Sequence, residues 1–294
     1  MLELAIILLS ELYLDAIKNK EKKLSSIHGD EFDDLLKIAS TKWVEYEPIR
    51  KPSFSVGIDS SWNKKSFQGI DLFVIDSVAV SSHNHMLASR WDYGISNITG
   101  DSLSAKAMKM EIDLAKSVLD QKPDYVCVDG SIISNLVHNK NATYKENVRA
   151  LFDSNDEESY VLFISKNSTS KTQFKEYGSR AADIYYYNKL GHKTGFSLAN
   201  KNNFISDSLD VVEIYARLAA YVPLIKIEII NRANIAQTEI QNLIDGLCYH
   251  SIKGYPYCLK LAHQSCKITN NDVKRLASLY GFKNEFGSRD SLNE

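Results

Sequence analysis

The stretch Phe54-Ser-Val-Gly-Ile-Asp59 decides how the chain is read. Phe54, Val56 and Ile58 alternate with small residues, the period of a strand with one buried face, and the strand is predicted to stop at Asp59. A second apolar run, Tyr125 to Val128, lies between Pro123 and Gly130 and delivers Asp129 at its end. Between these two strands the chain offers Ile70 to Val80 and Met86 to Tyr93 as strands, then a helical stretch from Ser102 to Leu119. Leu103, Ala107, Met110, Leu114 and Val118 share one helical face, and Asp101 or Ser102 is expected to cap it. Glu111 falls at the edge of that face, where its carboxylate can reach the sheet.

Further along, Ser131 to His138 and Tyr144 to Phe152 read as helices, and Tyr160 to Ile164 as a strand. A polar, basic loop runs from Ser165 to Lys175, followed by a helix over Ser179 to Leu190. Val211 to Ala220 and Leu224 to Ile230 read as strands, Ile235 to Tyr249 and Asn271 to Leu279 as helices. Three sequential strands pair most simply as an antiparallel meander. The order β-β-β-α-β-α predicts an α/β chain with a ribonuclease H-like mixed central sheet flanked by helices. Pro48 and Pro52 mark a boundary, giving an N-terminal helical segment over residues 1–50 and the sheet-bearing domain over 51–294.

A chain of 294 residues, 44% hydrophobic, can bury a sizeable core. Its net charge of −2 gives no bulk attraction to nucleic acid, so any such contact must come from a local basic face or from bound metal. The four cysteines, Cys127, Cys248, Cys258 and Cys266, form no C-x-x-C pair, so neither a zinc site nor a redox motif is signalled. Reduced thiols and a cytoplasmic setting are expected, with Cys127 in the core. The opening run MLELAIILLSELYLDAIK is interrupted by Glu3 and Glu11 and reads as an amphipathic helix rather than a signal peptide or membrane span. Such a helix either packs on its own domain or docks a partner.

The order of acids carries the chemistry. Asp59 on the first strand, Glu111 on the helix after the third, and Asp129 ending the fourth is the layout of a two-metal nuclease. Phosphodiester hydrolysis needs deprotonated water and a stabilised leaving oxygen, and two divalent ions about 4 Å apart supply both. Hard ions such as Mn²⁺ or Mg²⁺ take oxygen ligands. Asp59 is expected to bridge both ions, Asp129 to bind one, and Glu111 to bind the other or orient water. His263 is a candidate ligand or proton shuttle to the leaving group. Taken singly, each residue has a plainer reading: an Asp after a strand is commonly a turn residue, and a helical Glu commonly lies on a solvated face. Asp71 is the best rival ligand.

No G-x-x-x-x-G-K-[ST] or G-x-S-x-G is present, which disfavours an ATPase and a serine hydrolase. Lys166, Lys171 and Lys175, among Ser165, Ser168, Thr169, Ser170 and Thr172, are candidate phosphate donors. Trp62 and Phe204 are candidate stacking partners for unpaired bases.

GIDSSW at 57–62, VDGS at 128–131, SKNSTSKT at 165–172 and GYPYCLKLAH at 254–263 together resemble the NurA nuclease family, from about Phe54 to Leu279. The last motif is the most specific. The resemblance implies a ribonuclease H-like, Mn²⁺-dependent nuclease that degrades DNA 5′ to 3′, cuts single strands and acts in DNA-end resection. It implies a homodimer that partners a HerA-type hexameric translocase. It carries the catalytic acids onto Asp59, Glu111 and Asp129, and the family histidine onto His263; Phe204 sits near the family's site aromatic. Two other readings remain open at this point: a non-catalytic dimeric adaptor that couples a translocase to DNA, using the N-terminal helix with Phe282 and Phe286, or a related enzyme acting on RNA or junctions.

Overall fold

The computed structural model describes residues 2–67, 69–138, 142–155, 158–202, 209–232 and 234–282, with backbone alone for 2–9, 138, 142 and 143. Phe204 and Phe286 lie outside the described residues. In chain order the helices are α1 (Leu2–Lys18), α2 (Lys20–His28), α3 (Phe32–Thr41), α4 (Gly100–Val118), α5 (Ile132–His138) and α6 (Ala142–Ser154). They continue as α7 (Asp183–Lys189), α8 (Gln237–Tyr249), α9 (Tyr257–Ser265) and α10 (Asn270–Leu279). The strands are β1 (Trp43–Glu45), β2 (Ser55–Phe67), β3 (Ile70–Ser81), β4 (Met86–Ile95), β5 (Tyr125–Asp129) and β6 (Tyr160–Ser165). They continue as β7 (Gly195–Ser197), β8 (Asn200–Lys201), β9 (Val211–Arg217), β10 (Ile225–Ile230), β11 (Ser251–Ile252) and β12 (Tyr255–Pro256).

Two compact units arise from these elements: residues 1–43 with 167–192, and residues 44–166 with 193–294. In the first, His28 stacks on Phe32 at 3.9 Å and bonds the Tyr185 hydroxyl at 2.9 Å. Phe174, Tyr186 and Tyr187 are its buried aromatic centre. The charged segment after Lys18 is helical as α2 but buries none of its residues.

The second unit is built on a mixed sheet in the order β1-β7-β9-β10-β6-β5-β2-β3-β4, with β8 beside β9. The expected β2-β3-β4 meander is present, and β5 and β6 join it in parallel. This is the mixed α/β, ribonuclease H-like arrangement that the element order predicts. Val56, Ile58, Val126 and Val128 point to one face, against Ile112 and Ala115 of α4 and Val148 and Leu151 of α6. Cys127, Leu162, Ile164 and Ile227 point to the other, against Leu243 and Ile244 of α8 and Leu259 of α9. All four cysteines are buried free thiols.

Three local readings change. The first strand does not stop at Asp59: β2 runs on to Phe67, because Ser60 to Phe67 pair residue by residue with Ile70 to Ser77 of β3. Cross-strand pairing thus overrides the polar composition of SSWNKKS. Thr99, not Asp101 or Ser102, caps α4, accepting from the Ser102 amide at 3.3 Å. The GYPYCLKLAH segment ends in a helix, α9, that periodicity had not marked.

Candidate metal centre

Asp59 and Asp129 both belong to odd-numbered positions of parallel neighbours, so both carboxylates leave the same face of the sheet, toward α9. Gly57 makes that approach possible. A Cβ there would overlap the carbonyl of Cys258, so the backbone of α9 lies directly on β2. About one and a half turns along α9, His263 then reaches Asp59, with Nδ1 2.8 Å from Oδ2. The motifs GID and GYPYCLKLAH are therefore two halves of one contact.

Ligand atoms of Asp59, Asp129 and His263 all lie within 4.8 Å of one another. Among the described residues this is the one cluster whose geometry can hold a cation. Two carboxylates and an imidazole, with the imidazole side chain 63% exposed, form a donor set open to solvent on one side. Hard, oxygen-rich ligands of this kind suit Mn²⁺ or Mg²⁺. Asp59 is raised above the ordinary carboxylate range by burial and by the neighbouring Asp129 charge; His263 and the Ser60 amide pull it down in part. The cluster thus carries negative charge that its own hydrogen bonds do not fully offset, and a divalent cation would relieve it.

Glu111 arrives from the opposite face. It is buried on α4 and accepts a short hydrogen bond from the Ser60 hydroxyl. Burial pushes its carboxyl up to about 8, with the Asp59 and Asp129 charges adding to the shift against the Ser60 bond. Asp59 and Ser60 are consecutive residues on opposite faces of β2, which is how one strand serves both acids.

Several participants were not legible in the sequence. Tyr255 donates from its hydroxyl to Asp129 Oδ1 at 3.0 Å and is held protonated by burial and by that carboxylate. Lys166, which the sequence did offer as a phosphate donor, lies over the Tyr255 ring at 4.2 Å. Ser131 donates to Glu228 Oε1 at 2.5 Å, and the Ile133 amide to Oε2 at 3.2 Å, fixing the start of α5 just beyond Asp129. The repeated tyrosines in GYPYC were the available signal for Tyr255, but nothing local says that its hydroxyl faces a carboxylate.

The remaining candidates are dispersed. Asp71 pairs with Lys64 at 3.0 Å and accepts from Ser66, at the far end of β2, so it is not a ligand of this cluster. Trp62 is part-exposed, on the α4 face of β2 beside Gly100. Lys171 belongs to the first unit and donates to the Arg180 carbonyl at 2.6 Å. The Ser170 and Thr172 hydroxyls lie 3.2 Å apart.

A mixed sheet of this order, with acids on adjacent central strands, places the chain in the ribonuclease H-like class of α/β proteins. The chain belongs to the NurA family, whose domain model matches residues 55–268. It is 25% identical to the DNA double-strand break repair nuclease NurA of Sulfurisphaera tokodaii, over 90% of this chain and 93% of that protein. Its fold matches the crystal structure of the NurA nuclease from Sulfolobus solfataricus at a TM-score of 0.72 and 21% identity, covering 93% and 96% of the two chains. A crystal structure of NurA bound to dAMP and manganese matches at a TM-score of 0.64 and 11% identity, covering 97% and 100%. No described helix is long and apolar enough to cross a membrane.

Proposed function

We propose that this chain is a metal-dependent deoxyribonuclease that trims DNA ends during double-strand break repair. The observation that carries the reading is the convergence of Asp59, Asp129 and His263 within 4.8 Å. It is supported by relatives named as DNA repair nucleases and by a related structure that holds manganese and a nucleotide. In this reading Asp59, Asp129 and His263 hold the cation, with Glu111 as a further ligand or as the group that orders water.

A bound divalent ion supplies Lewis acidity toward the phosphodiester and makes water nucleophilic near neutral pH. The residues around it do the rest. Tyr255 occupies Asp129 Oδ1 and so orients the carboxylate. Glu111, fixed at Oε1 by the Ser60 hydroxyl, is placed to bind the ion or to order a water beside it. If His263 stands outside the ligand set, its protonated imidazole, largely in solvent, can instead pass a proton to the departing oxygen. Lys166, stacked on Tyr255, adds positive charge beside the site.

The finer assignments rest on family membership: Mn²⁺ as the working ion, two ions rather than one, 5′-to-3′ exonuclease with single-strand endonuclease activity, a homodimer, a HerA-type translocase as partner, and work in the cytoplasm. We assign catalysis to residues 51–294 and partner contacts to the helical segment 1–50. Leu12, Tyr13, Leu14 and Ile17 of α1 are exposed, which is what a docking helix requires. The same observation favours the second reading, a non-catalytic adaptor for a translocase. Phe282 serves that reading less well, since it packs against Phe67 at 5.2 Å.

End-labelled single- and double-stranded DNA, with an RNA control, incubated with Mn²⁺, Mg²⁺ or chelator tests the proposal. Cleavage that needs metal and disappears in Asp59→Ala supports it. Full activity in Asp59→Ala overturns the site. No cleavage by the parent chain under any metal, alone or with a translocase, favours the adaptor.

A further inference from the structure

Strand β4 forms the outer edge of the sheet, paired to β3 on one side. Its residues can be placed relative to the metal centre by register alone. Asp59 pairs with Val78, and Val78 with Ser89; in the next row of the same face, Ser61 pairs with Asp76, and Asp76 with Trp91. Asn63, Val74 and Tyr93 make the row after that. Paired residues share a face, so Trp91 and Tyr93 stand on the face of Asp59 and His263. Two strand spacings and two residues of rise put Trp91 roughly 12 Å from Asp59.

Trp91 and Tyr93 stack on each other at 5.9 Å with planes 25° apart. Trp91 is 70% exposed and Tyr93 43%. The series continues through Tyr280, whose hydroxyl lies near that of Tyr93, to Phe282, stacked on Tyr280 at 6.0 Å. Across the edge, on the α4 face to which Arg90 and Asp92 point, a cavity of about 480 Å³ bordered by Trp91 is lined by Arg90, Lys106, Lys109, Asp92, Asp113 and Met110. Its two carboxylates are engaged by Arg90 at 3.8 Å from Asp113 and by Lys106 at 3.1 Å from Asp92, which leaves Lys109 as one cation in excess.

We propose that Trp91 and Tyr93 form a stacking platform that holds unpaired bases of a single-stranded DNA substrate on this edge, with its phosphates drawn over the edge toward Lys109 in the groove on the α4 face. Exposed rings with positive charge alongside are what sequence-tolerant binding of a single strand requires. Apolar rings offer little to a duplex, whose bases are already stacked. Adding another strand to β4 is discouraged by Arg90 and Asp92, charged residues on the edge itself. The platform rests on the nuclease reading for its purpose, since it lies where a strand leaving the metal centre along this face would pass.

The test is binding of a labelled oligothymidylate of about 12 nucleotides to the full chain in chelator, where nothing is cut. Trp91→Ala is expected to weaken binding by about tenfold or more, with Trp91→Phe close to the parent. Affinity for a blunt duplex of the same length should change little. Unaltered oligothymidylate affinity in Trp91→Ala, with the parent's circular dichroism and unfolding midpoint, overturns the platform. A fall in sedimenting mass for Trp91→Ala, with oligothymidylate affinity kept, also overturns it and assigns the edge to a second copy of the chain. Parent cleavage with Mn²⁺ is measured alongside. If the parent cuts and Trp91→Ala binds normally, the platform alone fails; if the parent never cuts but Trp91→Ala loses binding, the platform stands and the nuclease reading fails.

Discussion

Two clusters of buried charge lie in the same sheet and are built on opposite logic. On β9 and β10, Lys226 sits between Glu213 at 2.7 Å and Glu228 at 2.6 Å, with all three side chains at most 3% exposed. Burial disfavours the Lys226 charge, but the two carboxylates outweigh it and hold its pKa above the ordinary value. Glu228 receives further bonds from Ser131 and the Ile133 amide. Burial still raises the Glu228 carboxyl, but Lys226, Ser131 and the Ile133 amide all pull it back down, so this cluster carries its own counter-charge. Around Asp59, by contrast, two acids meet one solvent-facing histidine while Glu111 lies across β2, and burial together with neighbouring acid charge raises Asp59 and Glu111. Buried charge with partners is structure; buried charge lacking them marks a place where something else is meant to bind.

The largest test of this contrast is at Asp59. Asp59→Asn should lower metal-dependent DNA cleavage by about a thousandfold or more, as expected when a metal-ligating acid is lost. In chelator its unfolding midpoint should hold or rise, because an unfavourable charge has gone. A large fall in that midpoint would mean that the acid cluster is structural after all. Lys226→Met should do the reverse. It leaves two carboxylates buried without a cation, which costs about 3–5 kcal/mol, read from denaturant unfolding. A loss of less than about 1 kcal/mol would show that water already solvates the triad.

Tyr255→Phe comes next. It removes only the hydroxyl bonded to Asp129, so metal affinity should fall about 10- to 100-fold while the fold is kept. Calorimetric Mn²⁺ titration of the parent and the variant reads this directly, and equal affinities would remove Tyr255 from the site.

A further test is the pH dependence of the chelated protein. Glu111 has a folded pKa of about 8 against 4.5 for the free group, so the folded chain keeps a proton that the unfolded chain releases. Stability therefore declines as pH rises from about 4.5 to about 8 and levels off above that. Glu111→Gln should flatten this segment of the unfolding-midpoint profile, and saturating Mn²⁺ should flatten it in the parent. An identical slope in Glu111→Gln would assign the proton to another group.

The lesson for reading such a chain lies in which contacts are local. The alternation of Phe54, Val56 and Ile58, the apolar run before Asp129 and the α4 face carrying Leu103 to Val118 are properties of neighbouring residues. They gave strands, helix and acids in the right order, because side-chain periodicity is set by backbone geometry within a few residues. The extension of β2 past Asp59 was hidden, since Ser60 to Lys65 are extended only through their partners on β3.

What the sequence by itself determined is the α/β order, the three acids and the family to which the chain belongs. Tertiary structure alone decided that His263, 204 residues from Asp59, lies 2.8 Å from it, and that it does so because Gly57 lets α9 rest on β2. It decided too that Tyr255 holds Asp129, that burial pushes the Glu111 carboxyl up to about 8 and that Trp91 shares a face with Asp59. Each of these depends on how segments far apart in the chain are packed, and electrostatic and packing energies are functions of distance in space, to which spacing along the chain is no guide.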